Sequence, residues 1–128
     1  MASAINWFEI PVTDFNRAKK FYETIFDFQM PESQMGPAKM GFLLYDFQSG
    51  KIGGAIVHHP GFHMPSQTGS LVYLNCNPDL QIVLDKVDQA GGKVRQQKMP
   101  VSNDQPELGY WALIHDTEGN RIALHSRS

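Results

Sequence analysis

The residues best suited to chemistry begin on a short strand near the N-terminus. Residues 6 to 12 alternate with the period of two that a strand requires, so this segment has two faces. One face carries Phe8, Ile10 and Val12, and the other carries Trp7, Glu9 and Pro11. A carboxylate beside an indole is costly unless it is paired or hydrogen-bonded. Two roles are therefore open to Glu9. It is either a general base or ligand anchor, or a structural carboxylate paired with Arg121 or backbone N–H groups.

The same polar face continues in the second half of the chain. Its members are Tyr73, Asn75, Arg121, Ala123 and His125. Tyr73 and Asn75 have two roles open to them, because they either orient a ligand or bond to each other. His125 is either an acid, base or ligand donor, or an exposed side chain near the C-terminus. A face that mixes aromatic and ionisable groups in this way is typical of a cleft lining, so we expect a ligand there.

Three histidines, His58, His59 and His63, lie close together in a loop rich in proline and glycine. No cysteine or carboxylate pattern accompanies them, so a solvated linker is favoured over a metal site. Gly53-Gly54 lacks the lysine of a phosphate loop, and its glycines are better explained by close strand packing.

The elements that position these residues occur twice. After the first strand, Phe15, Ala18, Tyr22 and Ile25 form a helical stripe, and Leu80, Val83, Val87 and Ala90 repeat its spacing. We expect the second helix to begin at Asn77-Pro78 and to end at Gly91-Gly92. Residues 27 to 40 are expected to be irregular, followed by strands in GFLLYDF and IGGAIVH. KVRQQKMPV and a hairpin turning at Thr117 to Asn120 complete the second half.

This order predicts an α+β fold made of two tandem βαβββ modules, residues 1–59 and 69–128, joined by a linker over residues 60–68. A sheet covered on one face only is incomplete, so the two modules are expected to complete each other within a single domain.

The composition excludes several classes of function. The chain has 128 residues and a net charge of −2, with no basic run, so we expect no nucleic-acid partner. No apolar run reaches the length of a membrane span, so no membrane partner is expected. A lone Cys76 in an apolar strand is interpreted as a small buried hydrophobe and, together with an N-terminus that lacks a secretory pattern, favours a cytoplasmic location.

The opening WFEIPVTDFNRAKKFYETIF, the internal GGA and the closing DTEGNRIAL resemble the vicinal oxygen chelate superfamily, which includes glyoxalase I, extradiol dioxygenases and bleomycin- and fosfomycin-resistance proteins. The resemblance covers nearly the whole chain. It implies an incomplete barrel around a central cavity, often in a homodimer that shares or exchanges modules.

The resemblance also implies a divalent metal held by His, Glu or similar side chains from the first and last strands of each module. Strand register places the four usual ligand positions at Trp7, Gly54, Leu71 and Ala123. None of these side chains offers an oxygen or imidazole donor, and a shift to Gly53 or Ala55 supplies none either. We therefore expect no metal and no other cofactor.

The leading prediction is a glyoxalase- or bleomycin-resistance-like protein that binds a small organic molecule in the cavity between the modules. Trp7 and Tyr73 would stack against the ligand, while Glu9, Asn75, Arg121 and His125 would orient it. Two alternatives remain open, a lyase, isomerase or epimerase that uses Glu9 as general base, and a metal-dependent member with unusual ligands. A module that binds only another protein would instead fill this cavity with its own side chains.

Overall fold

The computed structural model describes residues 3–43 and 48–128. In the first half the elements are β1 (Trp7–Pro11), α1 (Phe15–Phe26), β2 (Glu32–Met35), β3 (Ala38–Leu43) and β4 (Gly53–His58). In the second half they are β5 (Val72–Asn75), α2 (Leu80–Leu84), β6 (Lys93–Pro100), β7 (Tyr110–His115) and β8 (Arg121–Ser126), with a 3₁₀ turn at Pro106–Leu108. The α+β class and the βαβββ order of each half are confirmed.

Each module folds into its own four-stranded sheet. The strand orders are β1-β4-β3-β2 and β5-β8-β7-β6, so the first strand of each module pairs with the last one. The pairs β1–β4 and β5–β8 are parallel, and the other strand pairs are antiparallel. Within the described residues the two sheets are not joined into a closed barrel, in agreement with the predicted incomplete barrel.

Helix α1 forms because its capping and its apolar spacing agree. Asp14 caps the helix by accepting a hydrogen bond from the Arg17 N–H at 3.1 Å. The predicted stripe of Phe15, Ala18, Tyr22 and Ile25 is buried, together with Phe21. These side chains join one core that also contains side chains from the inner faces of both sheets and from α2. The helices therefore cover one side of the molecule and leave the opposite sheet faces for a site.

Hydrogen bonds join the turn between β7 and β8 in the second module to the start of α1 in the first. Glu118 Oε1 accepts hydrogen bonds from the backbone N–H groups of Thr13 at 2.9 Å and Asp14 at 2.7 Å. Arg17 Nε donates to the other carboxylate oxygen at 2.8 Å. Burial, the largest single influence, raises the pKa of Glu118, but the hydrogen bonds from Arg17, Asp14, Thr13 and Thr117 together outweigh it and hold the pKa at about 2.

Two further hydrogen bonds cross the junction in its buried part. Tyr22 donates its hydroxyl hydrogen to Asp116 Oδ2 at 2.7 Å. Asn120 Nδ2 donates to the Pro11 carbonyl at 2.7 Å. The DTEGN segment therefore sets the position of the second sheet relative to β1 and α1.

The structure corrects several predicted boundaries. Residues 27–40 are not wholly irregular, because β2 and the start of β3 form a hairpin within them. Part of the predicted strand GFLLYDF, residues 44–47, lies outside the described residues. The second helix is capped by Asp79 rather than Asn77, and the Asn77-Pro78 peptide bond is cis. Its regular part ends at Leu84, and turns continue to Gly91.

Within the part of the chain that the structure describes, no helix has the length and apolar character to cross a membrane.

Candidate functional site

A cleft lined by both modules lies along the seam between β1 and β5. Its volume is about 760 Å³. Its lining combines apolar and polar side chains from both modules, namely Ile5, Trp7, Phe8, Phe26, Leu43, Lys51, Ile52, Gly53, Ser70, Leu71, Val72, Tyr73, Leu74 and Asn75. A cleft of this size is large enough for a small organic molecule.

The structure brings three of the six predicted site residues together in this seam cleft. Trp7 lines it from β1, and Tyr73 and Asn75 line it from β5. Tyr73 is 56% exposed, so its ring is available to a ligand. Asn75 Oδ1 accepts a hydrogen bond from the Asn77 N–H at 3.0 Å, and no hydrogen bond joins it to Tyr73 among the described residues.

Glu9 and Arg121 lie together in a second, narrower groove of about 170 Å³. This groove shares Ser70 and Val72 with the seam cleft, so the two spaces adjoin. The sixth predicted residue, His125, lies in neither. It shares a hollow of about 490 Å³ with Tyr73, Trp111, Val101 and Leu108 on the open face of the second sheet.

The partner of Glu9 is His63 rather than Arg121. His63 Nε2 lies 2.8 Å from Glu9 Oε1, with both side chains partly exposed. A carboxylate accepts hydrogen bonds, so Nε2 carries the proton and a neutral His63 ring keeps Nδ1 as an acceptor. This is the arrangement in which a carboxylate orients an imidazole that can accept or donate a proton. In such an arrangement the carboxylate of Glu9 fixes the position of the ring, and Nδ1 of His63 is the atom that can accept a proton.

His63 belongs to the irregular segment that the sequence analysis interprets as a solvated linker, and its side chain, 28% exposed, contacts Glu9. A tight turn with Gly61 at φ 79° returns the chain, and the backbone N–H of His63 donates to the His59 carbonyl at 3.1 Å. The Phe62 ring lies 4.6 Å from the His63 ring and 4.8 Å from the His59 ring. The only local signal in the sequence is Pro60-Gly61, which indicates a turn but does not show that the turn brings His63 to Glu9.

His125 is held by the backbone. Its Nε2 lies 2.8 Å from the Leu108 carbonyl oxygen. A carbonyl oxygen only accepts, so Nε2 donates and the neutral ring has Nδ1 as its remaining acceptor. His125 therefore has a defined orientation, which could not be predicted from the sequence.

The residues at the usual metal positions do not fit a metal ion. Trp7 pairs with Gly53 and Phe8 pairs with Gly54, so Gly54 lies on the helix-facing side with Phe8. A Cβ atom added at Gly54 would collide with the Phe8 ring, which confirms that this glycine serves close packing. The expected position at Gly54 is therefore wrong by one residue, and Gly53 faces the Trp7 side. The described ranges contain no group of three His, Cys, Asp or Glu side chains placed to hold a metal.

Comparisons with known proteins agree with this architecture. Residues 4–124 match the model of the family described as the Glyoxalase/Bleomycin resistance protein/Dioxygenase superfamily. A "Glyoxylase-like domain-containing protein" of Didymella fabae is 32% identical over 130 residues, which cover 96% of this chain and 93% of that protein.

Solved structures extend the agreement to the fold. A glyoxylase/bleomycin resistance protein/dioxygenase domain from Frankia sp. EAN1pec has a TM-score of 0.68 at 14% identity, and the match covers 98% of each chain. The fosfomycin resistance protein FosX from Mesorhizobium loti has a TM-score of 0.60 at 18% identity, with 98% of this chain and 92% of that chain covered. The E144Q mutant of maize glyoxalase I has a TM-score of 0.72 at 19% identity over 94% of this chain. Because only 46% of the maize chain is covered, this protein spans about half of that enzyme.

Proposed function

Because this chain belongs to the glyoxalase/bleomycin resistance protein/dioxygenase superfamily, we propose that it binds a small organic molecule in the seam cleft without a metal ion. The single observation that carries the proposal is the cleft itself, in which Trp7 and Tyr73 from different modules line one space. An aromatic ligand held between such rings gains stacking energy in addition to buried area. Asn75 supplies amide hydrogen-bonding groups at the same place.

The proposal is tested with an uncharged fluorescent probe, N-phenyl-1-naphthylamine, whose emission rises in apolar surroundings. Tyr73→Ala removes an exposed ring from the cleft and should weaken binding about two- to tenfold, since a ring pair contributes about 0.5–1.5 kcal/mol beyond area burial. Ile82→Ala is the matched control, because Ile82 is also 56% exposed but lies on α2, outside the cleft. Equal effects of the two substitutions would place the probe elsewhere.

A second candidate is acid–base catalysis on a carbon acid, as in a lyase, isomerase or epimerase. The observation that favours it is the 2.8 Å contact between His63 Nε2 and Glu9 Oε1. The His63 imidazole would remove the proton from carbon, and Glu9 would hold the ring and stabilise its cationic form. The assay is deuterium incorporation from D₂O into a panel of 2-oxo and 2-hydroxy acids, followed by proton NMR.

Exchange that requires both His63 and Glu9 would support turnover. His59→Gln is the control, because His59 lies in the same ring cluster but has no described contact with Glu9. Exchange that survives His63→Gln would contradict this role, and the absence of exchange throughout the panel would leave binding as the proposed function.

The proposal also includes a homodimer and a cytoplasmic location. Support for a dimer comes from exposed apolar side chains around the second sheet, including Met99, Val101 and Leu108. The cytoplasmic location is supported by the buried, unpaired Cys76. Light scattering after size exclusion measures the oligomeric state, and a monomer at micromolar concentration would contradict the first part.

A further inference from the structure

A row of basic side chains crosses the open face of the second sheet. Lys93 on β6 pairs with His115 on β7, and His115 pairs with Arg121 on β8. Paired residues in neighbouring strands point to the same face, with Cβ atoms about 4.5–5.5 Å apart. We call Lys93, His115 and Arg121 the basic row. It lies on the face opposite the core, because Ile114 and Ile122, the neighbours of His115 and Arg121, are buried on the helix side.

Like charges placed opposite each other on a sheet destabilise it unless an opposite charge is nearby. No ion pair formed within residues 3–43 and 48–128 includes a member of the basic row. Asp116 follows His115 in the sequence, but its carboxylate accepts hydrogen bonds from Tyr22 and Asn120 on the core side. Glu9 shares the groove with Arg121 but is bonded to His63.

Arg121 carries an unsatisfied hydrogen-bond donor within the described chain. Its Nε atom is buried and has no hydrogen-bond partner. A buried donor without a partner, especially on a charged group, is costly. A guanidinium satisfies several of its donors at once when it meets a carboxylate, sulfonate or phosphate.

The surroundings of His115 are also strongly cationic. Burial lowers the pKa of His115, and the positive charges of Arg95, Lys93 and Arg121 lower it further, whereas Asp116 acts in the opposite direction. Arg95 is therefore a further positive charge close to His115. An anion bound there would relieve repulsion among Lys93, Arg95 and Arg121 and would favour protonation of His115.

The basic row lies next to the proposed ligand site. Arg121 lines the narrow groove, and this groove joins the seam cleft through Ser70 and Val72. A molecule with an apolar body in the cleft can therefore direct one end toward Arg121.

From this arrangement we propose that the ligand of the seam cleft is an organic anion, whose carboxylate, sulfonate or phosphate group binds at the basic row. The inference rests on the proposed function and adds the charge of the ligand. The apolar body of the ligand would lie at Trp7 and Tyr73, and its anionic group would bind Arg121. Lys93 would add positive charge, and the imidazole of His115 would become easier to protonate once the anion is bound.

The test compares two probes with the same ring skeleton, 8-anilinonaphthalene-1-sulfonate and the uncharged N-phenyl-1-naphthylamine. Dissociation constants are measured at one fixed ionic strength. Arg121→Gln should weaken sulfonate binding about tenfold or more, as expected for a hydrogen bond to a charged group. Lys93→Gln, at an exposed position, should weaken it by a smaller factor. Neither should alter the affinity for the uncharged probe, and the Lys20→Gln control, on the exposed side of α1, should alter neither affinity.

Inorganic sulfate tests the anion site separately, because sulfate has no apolar body that could bind in the cleft. Sulfate should displace the sulfonate probe but not the uncharged one, and it should shift the NMR signals of the His115 ring in the parent protein but not in Arg121→Gln. The inference is overturned if Arg121→Gln leaves sulfonate affinity unchanged or weakens both probes equally. If the uncharged probe does not bind, the proposed function fails, and the response of His115 to sulfate then decides whether the anion site stands alone.

Discussion

The junction at Glu118 gives the most quantitative prediction, because its carboxylate is held by several hydrogen bonds to the start of α1. The Glu118 side chain is fully buried, with 0% exposure, and its pKa is held at about 2 instead of the ordinary 4.5. One pKa unit corresponds to about 1.4 kcal/mol, so the carboxylate contributes about 3 kcal/mol to the free energy of unfolding at neutral pH. Its partner Arg17 is 52% exposed. Solvent screening of that charge lowers the contribution to about 2–3 kcal/mol.

Glu118→Gln retains the shape and an acceptor oxygen but removes the charge. The free energy of unfolding should fall by about 2 kcal/mol at pH 7. Because the folded-state pKa is depressed, the contribution of Glu118 is complete above the unfolded pKa near 4.5 and is lost as pH falls toward about 2. The difference between parent and variant should therefore be constant from neutral pH to about pH 5 and shrink below that.

Urea denaturation at a series of pH values measures this difference. Glu107→Gln is the matched control, since Glu107 is exposed and has no described hydrogen bond; it should show almost no difference at any pH. A Glu118→Gln effect as large at pH 3 as at pH 7 would refute the electrostatic reasoning. So would an effect at pH 7 no larger than that of the control.

Three further predictions concern individual side chains. Burial raises the pKa of the Cys76 thiol to about 12, so iodoacetamide at pH 8 should label Cys76 only as fast as the protein unfolds; rapid labelling would contradict its burial. Tyr22→Phe removes a hydrogen bond to Asp116 and should cost about 1–2 kcal/mol in urea denaturation, whereas no loss would show that the bond contributes nothing. Arg95→Gln should raise the depressed pKa of His115 in an NMR titration, and an unchanged value would contradict the proximity of the two charges.

Residues in periodic elements could be predicted from the sequence for a clear physical reason. Alternation along a strand assigns each side chain to a face, so Ile10 and Val12 were expected in the core and are buried there. The repeat of the helical stripe likewise identified two equivalent modules. The same rule placed Trp7, Glu9, Tyr73 and Asn75 on the open side of the sheets.

Features that depend on irregular backbone or on distant contacts could not be predicted in this way. His63 meets Glu9 only because a turn at Gly61 folds the linker back, and no periodicity reports such a contact. The hairpin of β2 and β3 was missed because its edge strand is mostly exposed and has no apolar alternation. Gly54 was assigned to the wrong face because a glycine has no side chain to reveal its register.

Binding of the uncharged probe to metal-free protein tests the central claim most directly. After dialysis against a chelator, N-phenyl-1-naphthylamine should bind with the same dissociation constant as in the presence of Zn²⁺, Ni²⁺ or Mn²⁺. Trp7→Phe should weaken binding of the probe and Trp111→Phe should not, because Trp7 lines the seam cleft and Trp111 does not. Binding that appears only after a metal is added, or binding that is weakened by Trp111→Phe and not by Trp7→Phe, would contradict a metal-independent site in the seam.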